Sequence, residues 1–229
     1  MQKKTEGICF AISAGICWGS MSVAAQVLME DSGFAVGDLV AGRLLGAGAL
    51  LLMFEHFFMR RSLLKYFSQP GVAKDILLYG VLVLLTQLTF FLAIQCSNAG
   101  AASNIQPNAV LKKIPVTIVV GGGMTVGGIV MSIFFPPWAI EEANWTTLSA
   151  LFYAYIVVVG TLVSFLLYVS SLKMISATSA SLLSCFEPIT AVVLSVALLG
   201  APLTPAEGVG GVLVFAAVWL LASRKEAQA

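Results

Sequence analysis

Long apolar runs separated by short polar connections dominate the pattern of this chain. Each run is close to the length of about 20 residues that an α-helix needs to cross a bilayer. The runs cover residues 7–29, 35–54, 75–97, 114–135, 146–170, 177–199 and 205–222. None of them alternates strongly between apolar and polar residues, as a barrel strand would. The pattern therefore predicts an all-α, polytopic transmembrane helical bundle of about seven helices.

Composition agrees with this class. Hydrophobic residues make up 59% of the chain and charged residues 10%, against about 25% charged residues in soluble domains. The first run is uncharged from Gly7 to Met29, longer than the roughly 7–15 residues of a signal peptide's apolar region, so we expect it to remain as a helix. The lipid bilayer is an expected partner. The chain has no basic stripe, so nucleic acid is not an expected partner.

Lysines and arginines in the connections predict orientation, because they favour the cytoplasmic side. Lys3 and Lys4 place the amino end in the cytoplasm, and Arg224 and Lys225 place the carboxyl end there as well. Seven crossings cannot put both ends on one side. Either one half inserts against its charge bias, or an odd number of crossings is missing near residue 106.

The same rule assigns the individual connections. Counted from the amino end, the acidic connection at 30–38 lies outside and the basic connection at 60–74 lies inside. Counted from the carboxyl end, 112–113 lie inside and 141–142 outside. Arg43, within the second run, is expected to snorkel toward the interface.

Small residues spaced four apart predict close helix packing, because they let backbones approach in lipid. A hinge or a substrate passage is the alternative interpretation. The pairs are Gly15/Gly19, Gly42/Gly46 and Gly123/Gly127.

One acid in the middle of a run is the strongest functional signal. Glu187 precedes Pro188 about ten residues into the sixth run, and a charge at mid-membrane costs about 3 kcal/mol on insertion scales. Proline removes a backbone hydrogen bond and frees a carbonyl, so the pair is a candidate substrate or proton contact. The alternative is a neutral Glu187 in a helix interface, bonded to a neighbouring Ser or Tyr.

Other polar or amphipathic side chains lie within the runs and are candidates for the same path. Trp18, Ser20 and Gln87 lie at mid-depth, Tyr153 lies nearer the outer end of its run, and Ser184 precedes Glu187. Each of them is alternatively a packing or interfacial residue.

A resemblance to a known family sharpens this interpretation. The relevant residues are Trp18-Gly19, Arg43, the stretch 97–106, and the passage from Ser176 to Leu203 with Glu187-Pro188 and Leu199-Gly200. Together they resemble the EamA family of the drug/metabolite transporter superfamily. Members of this family are ten-helix permeases built from two inverted five-helix repeats.

The resemblance implies an EamA-like inverted repeat with an incomplete first repeat. Residues 1–106 resemble a truncated first repeat and 107–229 a mostly present second repeat, so about three central helices are absent. Family membership implies alternating-access transport of small metabolites, amino acids or drugs across the plasma membrane, with proton coupling or exchange. The alternative is a non-transporting fragment, or one that needs a homodimer to complete its cavity.

Enzyme interpretations find little support in the sequence. The only histidine, His56, stands beside Glu55 without a second His or Cys at metal-ligand spacing. No GxSxG or P-loop motif is present. We therefore expect no catalytic residue, metal or cofactor, and a small-molecule substrate as the ligand.

Overall fold

The computed structural model describes most of the chain. The backbone alone is described for Gln2, Thr86 and 88–96. Every regular element within the described ranges is a helix, which confirms the predicted all-α class. The described residues are 2–69, 71–96, 114–138, 140, 143–202, 208–212 and 216.

The helices follow the apolar runs closely. Two π-helical segments extend them: Phe54–Phe58 continues α2, and Val158–Val163 joins α6 to α7. The α-helices are α1 (Gln2–Asp31), α2 (Val36–Met53), α3 (Leu63–Phe67), α4 (Val72–Cys96), α5 (Val116–Phe134), α6 (Thr147–Val157), α7 (Ser164–Leu172), α8 (Ala177–Leu183) and α9 (Phe186–Leu199).

Helical segments long and apolar enough to cross a membrane confirm the transmembrane class. The predicted third run corresponds to α4, which is 25 residues long. The predicted seventh run, 205–222, lies largely outside the described residues. The five segments that meet both criteria in the described part of the chain are Lys3–Asp31, Val36–Phe58, Val116–Phe134, Thr147–Leu172 and Ala177–Leu199.

Local sequence signals explain where two of these helices begin or end. The Thr146 hydroxyl accepts a hydrogen bond from the Ser149 amide at 3.1 Å, and the Ser149 hydroxyl accepts one from the Thr146 amide at 2.7 Å. This reciprocal cap satisfies amide donors that the first turn of α6 would leave unpaired. Gly200, with φ of 65°, ends α9 in a left-handed conformation that favours glycine.

The chain divides into two compact units. The described residues of unit 1 fall within 1–23 and 163–229, and those of unit 2 fall within 24–97 and 101–162. In the described part of unit 1, the first two-thirds of α1 accompany α7, α8 and α9. Unit 2 contains α2 to α6.

Glycines on α5 allow that helix to pack tightly within unit 2. A Cβ added at Gly128 would lie 2.6 Å from the Leu45 amide nitrogen, and one at Gly127 would lie 2.9 Å from the Gly80 carbonyl oxygen. Both distances are too short for real side chains, so these glycines bring α5 against the backbones of α2 and α4. The packing interpretation is confirmed here for Gly127 of the pair Gly123/Gly127.

Contacts along α5 give the direction of its neighbours. Residues 45, 48 and 51 of α2 meet residues 128, 125 and 121 of α5 in reverse order, so α2 and α5 are antiparallel. Residue 76 of α4 lies near residue 122 of α5, and residues 80 and 84 lie near residue 127. The order is the same along both helices, so α4 and α5 are parallel. Cys96 and Val116 therefore lie at opposite ends of unit 2.

Contacts at the two ends of unit 2 agree with these directions. At one end, the Asn144 amide donates to the Ser32 carbonyl at 2.8 Å, and the Phe34 and Trp145 rings lie 4.8 Å apart. At the other end, buried Glu55 accepts from the Thr117 hydroxyl and pairs with Arg61 at 2.8 Å. The connection after α1 and the residues before α6 thus share one end, as the charge-based assignment expects.

Candidate functional site

The sixth apolar run is a broken helix, and the acid lies at the break. Helix α8 ends at Leu183, Ser184 and Cys185 form a turn, and α9 begins at Phe186. Glu187 and Pro188 occupy the first turn of α9. A proline there breaks no helical hydrogen bond, because the first amides of a helix have no partner within it.

The carbonyl that the proline cannot bond has a different partner. In a continuous helix the Ser184 carbonyl would accept from residue 188, which as a proline has no N–H. It accepts instead from the Glu187 amide at 2.9 Å. The sequence-based expectation of a freed carbonyl is therefore wrong for Ser184, while the interruption of the helix beside the acid is present. The positive end of α9 stabilises negative charge in its first turn.

Helix α1 packs directly against this break through two glycines. A Cβ at Gly15 would lie 3.1 Å from the Ser184 carbonyl oxygen. A Cβ at Gly19 would collide with the carbonyl of Glu187 and would lie 2.7 Å from the Thr190 Cβ. These glycines therefore place the backbone around the acid against α1.

Three of the predicted path residues lie on α1 or at the break, and each has a different set of contacts. Trp18 is buried, and its ring lies 5.5 Å from the rings of both Phe165 and Tyr168 of α7. The Ser20 hydroxyl donates to the Cys17 carbonyl at 3.0 Å, and the buried Ser184 hydroxyl donates to the Ser181 carbonyl at 2.7 Å. Hydroxyls bonded back to their own helix bend it more than they stabilise it.

The second polar site contains Arg43, and here the snorkelling expectation is wrong. Arg43 is 3% exposed. Its Nε donates to Thr161 Oγ1 at 2.7 Å, and its Nη1 donates to Gln87 Oε1 at 3.0 Å. Gln87 and Thr161 lie near the middle of their own long helical segments, so the side chain extends into the unit rather than toward an interface.

The π-helical segment places Thr161 at this site. Thr161 is fully buried within Val158–Val163, and its hydroxyl donates to the Ile156 carbonyl at 2.9 Å. That bond turns an oxygen lone pair toward Arg43. π-Helical turns inside longer helices are frequent at functional sites. Sequence reasoning did not single out Thr161, and no residue type in the segment signals the turn.

Tyr153 packs against neighbouring residues and is not among the described contacts of Arg43. Its hydroxyl occupies the space where a Cβ of Gly42 would stand. Its ring lies 5.8 Å from Phe34 and 5.5 Å from Trp145. This aromatic cluster closes the end of unit 2 where α2 and α6 begin.

The predicted path residues thus fall into two groups. Trp18, Ser20, Ser184, Glu187 and Pro188 belong to unit 1. Gln87 and Tyr153 belong to unit 2, where Gln87 bonds Arg43. The sequence showed Arg43 as a charge within a predicted span, but not as a member of a polar site. Its partners lie 44 and 118 residues away, which local sequence does not indicate. In the described ranges no three His, Cys, Asp or Glu side chains form a metal-binding group.

Comparison with known proteins gives the chain a family. The EamA-like transporter family matches residues 5–111 and again residues 101–223. A protein of Salmonella typhimurium strain LT2, named uncharacterized inner membrane transporter YicL, is 28% identical over 306 aligned positions that include all of both chains. No solved structure matches the chain.

The alignment also bears on the missing helices. Its 306 positions exceed the 229 residues of this chain, so it contains gaps on this chain equal to roughly three spanning helices with their connections. This agrees with the predicted incomplete repeat. The two family matches together cover nearly the whole sequence. The chain is a multi-pass membrane protein and belongs to the EamA-like transporter family.

Proposed function

We propose that this protein moves small metabolites, amino acids or drugs across the plasma membrane by alternating access, coupled to protons or by exchange. The observation that carries the proposal is the broken helix α8–α9 with Glu187 at its break. Discontinuous helices form the substrate and coupling-ion sites of many transporters. In this proposal Glu187 carries the coupling proton, and Trp18 and Ser184 flank the path.

The same proposal includes topology. The amino terminus is cytoplasmic, and residues 1–106 and 107–229 form the two repeats. The positive charge of Lys3 and Lys4 supports this orientation. The end of unit 2 that contains Glu55 and Arg61 then faces the cytoplasm.

A release assay tests transport without knowing the substrate. Purified protein is reconstituted into liposomes loaded with a cell-extract mixture of metabolites, and the solutes that escape are measured by mass spectrometry. We expect at least one solute to leave faster than from protein-free liposomes, at a rate that depends on an imposed pH gradient. Glu187→Gln cannot ionise, so its release should lose the dependence on the gradient.

A matched control separates this role from a general loss of charge. Glu6→Gln removes an exposed acid from the first turns of α1 and should keep the gradient dependence. Release by Glu187→Gln with the wild-type pH dependence would assign Glu187 to helix packing. No release by the wild-type protein would contradict transport by this chain alone.

A second candidate function is a fragment that transports only as an oligomer, or does not transport. The opposite-end positions of Cys96 and Val116 favour it, together with the gaps in the YicL alignment, because part of the relative's sequence has no counterpart in one copy. Cross-linking in membranes, followed by the release assay on separated monomers and dimers, distinguishes the two. Release by monomers supports the first function, and release by dimers alone supports the second.

A further inference from the structure

An exposed surface at the end of the second span combines apolar and basic side chains. The candidate span Val36–Phe58 has 23 residues, about 35 Å at 1.5 Å per residue, so its last turn can reach past a hydrocarbon core of about 30 Å. We propose that this surface binds the headgroup of an anionic phospholipid. The inference goes beyond the proposed transport, because it concerns the lipid around the protein and not the solute. The residues of this basic–apolar surface are Phe57, Phe58, Met59, Arg60, Leu64 and Lys65.

The charge of the segment that follows the span is positive. Residues 56–69 contain Arg60, Arg61 and Lys65 and no acid. Glu55, just before them, is buried and pairs with Arg61 at 2.8 Å, so the charge of Arg61 is balanced within the protein. The first turn of α4 adds one charge of each sign. Arg60 and Lys65 are exposed, and lysines and arginines immediately beside a transmembrane helix attract anionic headgroups.

The turn after the span presents Arg60 in an unusual backbone conformation. The Arg61 amide donates to the Glu55 carbonyl at 3.1 Å, beside the ion pair between the same two side chains. Within this turn Arg60 has φ of 51°, a left-handed conformation that glycine adopts at less cost. An arginine at such a position, with its side chain exposed, is explained if the guanidinium has a partner outside the protein. A guanidinium presents a fork of donors that matches phosphate oxygens.

Apolar side chains beside the cations favour a lipid over a free phosphate. Phe57 is 65% exposed, Phe58 77% and Leu64 82%. The opposite face of α3 packs against a buried cluster through Leu63, Tyr66 and Phe67. That packing holds the short helix with Leu64 and Lys65 exposed. Acyl chains cover exposed apolar side chains, which a free phosphate cannot do, and exposed apolar patches mark membrane interaction sites.

Thermal unfolding of the detergent-solubilised protein tests the binding step. Dioleoylphosphatidylglycerol and dioleoylphosphatidylcholine, which have the same acyl chains, are titrated at constant ionic strength, and inorganic phosphate is titrated separately. We expect phosphatidylglycerol to raise Tm more than phosphatidylcholine, because only its headgroup carries a net negative charge. Inorganic phosphate should give no comparable shift, because it cannot cover the apolar side chains.

Removal of the two exposed cations locates the site. Arg60→Gln with Lys65→Gln should weaken the apparent affinity for phosphatidylglycerol about 25-fold, since each cation near a membrane surface contributes about fivefold. The matched control is Lys3→Gln with Lys4→Gln, which removes two exposed cations from α1. No large apolar side chain described between Lys4 and Ile16 is exposed, so this control should keep the shift.

Arg60→Gly separates lipid binding from a structural role of the arginine. Glycine relieves the left-handed backbone, so Tm without lipid should stay equal or rise, while the apparent affinity for phosphatidylglycerol should fall about fivefold. If the arginine only stabilised the turn, Arg60→Gly would lower Tm equally with and without lipid. That result would assign Arg60 to the fold and overturn the inference.

Four other outcomes would also overturn the inference. Equal shifts by the two lipids would exclude recognition of a charged headgroup. An equal Arg60-dependent shift with inorganic phosphate would assign the surface to a free anion. An equal loss in the variant of Lys3 and Lys4 would show that total charge attracts the lipid. A dimer in size-exclusion chromatography that Phe57→Ser with Phe58→Ser converts to a monomer, with the phosphatidylglycerol shift unchanged, would make the surface a contact between two copies.

Discussion

Single residues decide how the buried charge of unit 2 is tolerated. Thr161 accepts from Arg43 and donates to Ile156, so its hydroxyl joins two groups that would otherwise lose a partner. We expect Thr161→Val, which keeps the side-chain shape, to lower the free energy of unfolding by about 1 kcal/mol, since polar contacts in membrane proteins average about 0.6 and reach about 1.7 kcal/mol. Thr161→Ser should lower it less. Thermal unfolding in detergent measures both.

The control for this prediction is the same substitution at a threonine with a local bond. The Thr125 hydroxyl donates to the Gly121 carbonyl one turn back in its own helix at 2.8 Å. That carbonyl lies in a helix and does not need the hydroxyl, so Thr125→Val should have the smaller effect. Equal losses for the two variants would contradict the role assigned to the Arg43–Thr161 bond.

Arg43 also marks the limit of prediction at this scale. Its presence in a membrane-length run was visible in the sequence, but a long side chain about two turns inside a helix can either snorkel or turn inward. The choice depends on whether acceptors at matching depth exist on other helices. Gln87 and Thr161 supply them here, and only the packed unit brings them to Arg43.

At the scale of elements, the contact between α1 and the broken helix predicts a graded series of glycine substitutions. Gly19→Ala should lower the free energy of unfolding by about 1–3 kcal/mol, the usual cost of overpacking, because its Cβ would meet backbone atoms of Glu187 and Ala191. Gly15→Ala should cost less, since its nearest contact is 3.1 Å. Unfolding is followed by Tm in detergent.

Gly208→Ala is the control for this series, because its added Cβ meets no neighbouring heavy atom within 4 Å among the described residues. Alanine is also the better helix former, by about 1 kcal/mol, so the stability of this variant should stay equal or rise. A loss at Gly208 as large as that at Gly19 would show that the effect does not come from the contact with the break.

Helix positions were predictable because apolar run length sets them. The predicted runs 35–54 and 114–135 differ from α2 and α5 by one or two residues at each end. The break in the sixth run was signalled by Pro188. The π-helical turn at Val158–Val163 was not signalled, because its residues are ones that membrane helices ordinarily contain.

At the scale of the whole molecule, charge and packing locate the same irregularity. Lysines and arginines indicated either that one half inserts against its charge bias or that an odd number of crossings is missing near residue 106. Independently, α4 and α5 are parallel, so Cys96 and Val116 lie at opposite ends of unit 2. The charge pattern indicated this irregularity because the lysines and arginines of each half follow the cytoplasmic preference when they are counted from that half's own end. The substrate was not predictable, since it depends on side chains that meet only after folding.

Sidedness of labelling tests this arrangement. In a background without the four cysteines, single cysteines at Ala35, Ser62 and Asn144 are exposed to a membrane-impermeant maleimide in right-side-out and inverted vesicles. Ala35 and Asn144 should react from the outside, because the Asn144–Ser32 bond and the Phe34–Trp145 contact hold their segments at one end. Ser62, beside the Glu55–Arg61 pair at the other end, should react from the cytoplasmic side.

The pattern of labelling separates packing from orientation. If Ala35 and Asn144 react from opposite sides, the placement of the beginnings of α2 and α6 at one end of unit 2 is wrong. If the two react together from the cytoplasmic side and Ser62 from outside, the packing stands and the orientation is inverted, contrary to the positive charge of Lys3 and Lys4. The expected result would place each half in the membrane as its own charges require. Because α4 and α5 are parallel, these two consecutive described spans then cross in the same direction.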